Sequence, residues 1–98
     1  MSSPGGAERA VRWLLSGRVQ GVGFRWFARE AAEELGLAGT VANLPDGRVE
    51  IEVAGDPESL AAFRRRVEQG PPSGRVDRVE EHELDRPGGW RGFSIVHR

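Results

Sequence analysis

A chain of 98 residues, 38% hydrophobic and 30% charged with a formal net charge of -1, suits one globular domain, being too apolar for a disordered segment and too polar for a membrane protein. Its balanced charge lacks the basic field that draws nucleic acid, and having no cysteine it can build no disulfide, thiolate nucleophile or cysteine-based metal site. A soluble, cytoplasmic protein with no membrane association and no nucleic-acid partner is the expectation.

Met1 to Ala7 is rich in Ser, Pro and Gly and has no apolar run, so residues 1–8 read as a flexible lead-in and 9–98 as the domain. Ala10 to Leu15 reads as a central strand buried on both faces. It breaks into Gly17-Arg18-Val19-Gln20-Gly21-Val22-Gly23, whose three glycines permit positive φ angles and close backbone approach. From Phe24 the period becomes helical: Phe24, Phe27, Ala28, Ala31, Ala32 and Leu35 make one apolar stripe, and Gly36 ends it. Gly39 to Leu44 reads as a second strand, with Pro45-Asp46-Gly47 turning into an alternating third, Arg48 to Val53.

Asp56 caps a second helix, with Pro57 at its first position and Leu60, Phe63 and Val67 on its apolar face, before Gly70-Pro71-Pro72 stops it. Val76 to Leu84 reads as an exposed strand, Arg86 to Gly89 as a turn, and Phe93 to His97 as a last short strand. The order strand, helix, strand, strand, helix, strand, plus that short addition, is the ferredoxin-like split βαβ arrangement of the α+β class. It implies an antiparallel sheet with two helices on one face. Many functions share that architecture, so the site must decide.

Gly17 to Arg25 is the informative segment. A glycine-rich loop between a buried strand and a helix N-terminus offers unpaired N–H groups and a partial positive charge to an anion such as phosphate. Arg25, in the first helical turn, opposes the helix dipole unless an anion offsets it, and its planar fork suits phosphate oxygens. On loop chemistry alone, an anion site and a plain capping loop with an exposed arginine are equally good readings. Asn43, taken alone, reads as a strand-end residue that satisfies backbone groups.

Other candidates read blandly. His82 and His97 are far apart and lack carboxylates at ligand spacing, so they read as exposed strand histidines, and no metal is expected. Arg64, Arg65 and Arg66 fan around a helix as a solvated face beside Glu58 and Glu68. Trp13 and Trp26 read as packing residues and Trp90 as partly exposed. An RNA-binding domain of the RRM type shares the strand order, but its aromatics project from a central strand, whereas Phe24 and Phe27 begin a helix.

The run GRVQGVGFRWF, Gly17 to Phe27, resembles the acylphosphatase signature, and GTVANLPDGRVEIEVAG resembles the family's second, through Gly39, Asn43, Gly47, Val49 and Gly55. With the Gly-Pro-Pro after the second helix and the closing Gly-Phe-x-Ile, the resemblance extends from about Val11 to Val96. It implies hydrolysis of the carboxyl–phosphate bond of a small acyl phosphate by in-line attack of water; the leaving carboxylate needs no general acid, so no metal or cofactor is required, and nothing in the sequence demands more than a monomer. Gln20, Gly21, Val22, Gly23, Phe24 and Arg25 then form the phosphate cradle, Arg25 holds the phosphate, and Asn43 orients the water. The alternative is a non-catalytic phosphate- or carbamoyl-phosphate-binding module of the same fold. Thr40 departs from the family, which has an aromatic residue after Gly39, and is expected to cost packing beside the site.

Overall fold

A computed structural model describes residues 8–85 and 88–98. The expected lead-in, apart from residue 8, and the part of the expected turn that falls on residues 86 and 87 lie outside the described residues. In chain order the elements are β1 (Arg9–Arg18), α1 (Phe24–Glu34), β2 (Ala38–Asn43), β3 (Val49–Gly55), α2 (Pro57–Gln69), β4 (Arg75–Glu83) and β5 (Phe93–Ile95). Every expected strand and helix is present. β1 runs past Leu15 to Arg18 because an irregularity between Ser16 and Gly17 lets pairing with β4 continue to Arg75.

The sheet order is β4-β1-β3-β2-β5. Three pairings are antiparallel, as expected, and the fourth, β2 with β5, is parallel, which makes the sheet mixed. Direction explains it: β4 and β2 run oppositely in this order, so a chain that leaves β4 and reverses once meets the far edge running with β2.

The helices cover one face of the sheet. Val11, Trp13 and Leu15 of β1, Val41 of β2, and Val49, Ile51 and Val53 of β3 pack against Phe24, Ala28, Ala31 and Ala32 of α1 and Leu60, Phe63 and Val67 of α2. Phe63 lies between Trp13 and Phe93, with ring centroids 5.6 and 5.8 Å away. β1 is buried on its other face too, at Ala10 and Leu14, as a central strand must be. That face is otherwise charged: Glu50 accepts from Arg98 at 2.9 Å and pairs with Arg12 at 3.6 Å.

Three of the four helix ends close within the chain. At the C-terminus of α1 the Leu37 N–H donates to the Ala32 carbonyl at 2.9 Å and the Gly36 N–H to the Glu33 carbonyl at 3.1 Å, a Schellman closure. α2 starts at Asp56, whose carboxylate accepts from the Ser59 N–H at 2.6 Å, and it ends as the Gly70 N–H donates to the Arg66 carbonyl at 3.1 Å. The N-terminus of α1 is different.

Candidate active site

α1 begins at Gly23, which has no side chain to cap it, and no acidic residue stands in the first turn. Among the described residues, no backbone N–H from Gln20 to Trp26 donates to a protein acceptor; the first helical bond is from the Phe27 N–H to the Gly23 carbonyl at 3.0 Å. Gly21 and Gly23 have φ of 76° and 80°. A residue with a Cβ adopts that left-handed region at a cost of about 1–2 kcal/mol. Left-handed residues alternating with ordinary ones turn successive N–H groups into one concavity, here at the positive end of a helix.

Arg25 is half-buried in the same first turn and makes no ion pair with a carboxylate among the described residues. Arg9, Arg64, Arg66 and Arg98 each hold one at 3.0 Å or less. A guanidinium that opposes the helix dipole and lacks an acidic partner is poised for an external anion.

The Gln20 side chain turns away from the loop's concavity. Its amide donates to the carbonyls of Leu44 at 2.8 Å and Arg48 at 3.0 Å, clamping the loop to the β2–β3 hairpin. Val22 packs against the core, and Phe24 is a core residue whose ring lies 5.9 Å from that of Phe27. Of the six residues named for the cradle, these three commit their side chains to the hairpin or the core and could meet an anion only through the backbone.

Asn43 ends β2 opposite Val49 on β3, on the face that Val41 gives to the core. Its Oδ1 is buried and has no hydrogen-bond partner among the described residues. Leaving a buried acceptor unpaired costs about 1–3 kcal/mol, so this oxygen calls for a donor from outside the chain. β5 pairs Ile95 with Val41, and His97, two residues beyond, lines the same cavity as Asn43.

These parts meet around one cavity of about 360 Å³, lined by Gly21, Gly23 and Arg25, by Asn43, and by Trp26, Ile95 and His97 among others. The sequence reading missed the last three as site residues. His97 is exposed, as expected, yet it faces the site. Trp26 is a correction: it is 55% exposed and is no packing residue, whereas Trp13 is buried as expected. The signal was available, since Trp26 falls two residues after Phe24 and so off the apolar stripe.

Thr40 pairs with Glu52 and Ser94, on the opposite side of β2 from Asn43. The missing aromatic therefore does not thin the packing beside the site, as had been expected. Arg64 pairs with Glu68 at 2.7 Å, as anticipated, and also with Glu81 at 2.8 Å. His82 stays exposed, 2.7 Å from Glu80, and that contact lowers the Glu80 carboxyl below its ordinary range. Among the described residues no three His, Asp or Glu side chains gather as metal ligands.

The family model described as Acylphosphatase matches residues 11–95. The chain belongs to the acylphosphatase family. It is 51% identical over 80 residues to the acylphosphatase of Thermococcus kodakarensis, covering 82% of this chain and 87% of that relative. The crystal structure of acylphosphatase from Bacillus subtilis superposes with a TM-score of 0.87 at 41% identity, covering 90% of this chain and 98% of the other. An acylphosphatase from Coxiella burnetii gives 0.88 at 33% identity, covering 98% and 100%. The chain is thus an enzyme with acylphosphatase function, hydrolysing the carboxyl–phosphate bond of a small-molecule acyl phosphate, on a ferredoxin-like α+β fold.

Proposed function

We propose that residues 9–98 form one domain that works as a cytoplasmic monomer, without metal, cofactor or nucleic acid, and that Arg25 and the Gln20 to Phe24 backbone bind the phosphoryl group while Asn43 aims the attacking water. The observation that carries this reading is the meeting, at one cavity, of an uncapped helix N-terminus, an arginine without an acidic partner and the orphaned Oδ1 of Asn43. All three come from one chain, which supports a monomer. The net charge of -1 argues against nucleic acid, and a chain in which 30% of residues are charged suits an aqueous compartment.

In this reading the phosphoryl oxygens accept from the free N–H groups of the loop, and the Arg25 fork donates two further charge-assisted bonds. A water donates one hydrogen bond to Asn43 Oδ1, which turns its lone pair toward phosphorus, in line with the acyl oxygen. The new P–O bond forms as the bond from phosphorus to the acyl oxygen breaks, and a water proton passes to a phosphoryl oxygen. The products are a carboxylate and dihydrogen phosphate.

The leaving carboxylate has a conjugate acid of pKa about 4, so it departs without a general acid. An amide is no base near neutral pH, and Asn43 contributes by aiming. Alignment of this kind supplies up to roughly 7–11 kcal/mol of a barrier, and phosphoryl transfer depends mainly on alignment and charge.

The test is hydrolysis of benzoyl phosphate with EDTA present and inorganic phosphate as inhibitor. Turnover insensitive to EDTA and competitively inhibited by phosphate is expected. Arg25→Gln should weaken phosphate inhibition and lower kcat/KM by about 10²-fold together. Phosphate binding with no turnover above background makes the chain a binding module, and phosphate inhibition unchanged in Arg25→Gln removes the arginine from the cradle.

A further inference from the structure

The cavity is larger than a phosphoryl group needs. At roughly 30 Å³ per water in the liquid, about 360 Å³ holds on the order of a dozen waters, and a phosphoryl group, with its handful of heavy atoms, takes well under half. The remaining volume borders the cradle where the acyl part of a bound substrate must lie.

Its walls have a definite character. Trp26, 55% exposed, is the one large hydrophobic side chain exposed among the described residues, and it follows Arg25 directly in the first turn of α1. Ile95 and His97 of the β5 segment line the same cavity. Among the described residues no carboxylate lines it, so a cationic acyl group finds no partner there, while an indole face rewards a flat apolar one. A water-facing tryptophan beside an anion site gains by stacking on such a group, and burying its apolar area is favourable at about 25 cal/mol per Å².

We propose that Trp26, with Ile95 and His97, forms an acyl subsite that selects acyl phosphates with aromatic acyl groups over those with one- or two-carbon groups. This rests on the placement of the phosphoryl group at Arg25 given above, and it goes beyond it by naming the substrate class and a specificity-determining residue.

The experiment compares kcat/KM for benzoyl phosphate and acetyl phosphate in the parent enzyme, Trp26→Ala and Trp26→Phe. Alanine is the best helix former and Trp26 is exposed, so Trp26→Ala retains the fold. The ratio of the two substrates, compared between variants, cancels their difference in intrinsic reactivity. Trp26→Ala should lower the benzoyl-over-acetyl ratio roughly 5- to 20-fold, and Trp26→Phe should keep it within about twofold of the parent. An equal loss on both substrates, or a ratio that Trp26→Ala does not move, overturns the subsite while leaving the phosphate cradle in place. A parent enzyme that hydrolyses neither substrate overturns both readings, and phosphate inhibition measured alongside tells the two failures apart.

Discussion

Gln20 sits in the glycine-rich loop before α1 and Asn43 ends the strand that enters the β2–β3 hairpin, and their side chains behave in opposite ways. Gln20 makes two hydrogen bonds to hairpin carbonyls, whereas Asn43 leaves its buried oxygen unpaired. One residue is spent on holding the loop at a fixed distance from the hairpin; the other, in the proposed function, keeps its oxygen for the attacking water. Gln20→Ala removes both donated bonds and leaves the Leu44 and Arg48 carbonyls without them. It should destabilise the fold by roughly 1–2 kcal/mol in denaturant titration and lower kcat/KM about tenfold as the cradle drifts from Asn43. Unchanged kinetics in that variant would separate the clamp from the chemistry.

The two helices begin in opposite ways. α2 has an aspartate cap and an acidic first turn at Glu58. α1 has a bare glycine and an arginine. The α2 cap has a pH signature. The Ser59 N–H, as the largest influence, holds the Asp56 carboxyl below its ordinary value in the folded chain. A depressed folded pKa contributes stability above the unfolded value, about 3.9 for aspartate, and that contribution fades as pH falls through the folded value. Thermal melts of Asp56→Ala should therefore show a lower Tm than the parent, by a constant margin between about pH 5 and 7, with the gap narrowing below about pH 4. The opposite trend, a gap widening in acid, contradicts the cap's role. α1 offers no such pair to titrate, because Gly23 has no capping side chain and no acidic residue stands in its first turn.

At the scale of the whole molecule, what was legible in the sequence was whatever local period and turn chemistry encode. The stripe from Phe24 to Leu35, the Asp56-Pro57 start and the Gly70-Pro71-Pro72 stop each carry their own signal, and the helices fall within a residue of where those signals put them. Pairing partners carry none. Nothing in Phe93 to His97 says that the segment lies parallel to β2, so the arrival of His97 at the cavity that Asn43 lines became visible only with the fold. Trp26 was legible and misread, since its offset from the stripe already pointed outward.

Asn43 is an intermediate case: the residue alone suggests a strand end, the family resemblance supplies a role, and the orphaned Oδ1 supplies a physical reason for it. The most direct measurement is therefore kcat on benzoyl phosphate together with the inhibition constant of phosphate for Asn43→Ala. A kcat lower by about 10²- to 10³-fold with phosphate inhibition kept within about threefold is the expected result, as for the loss of one preorganised polar group in other active sites. Near-normal turnover, or loss of phosphate binding in step with loss of turnover, contradicts water aiming by Asn43.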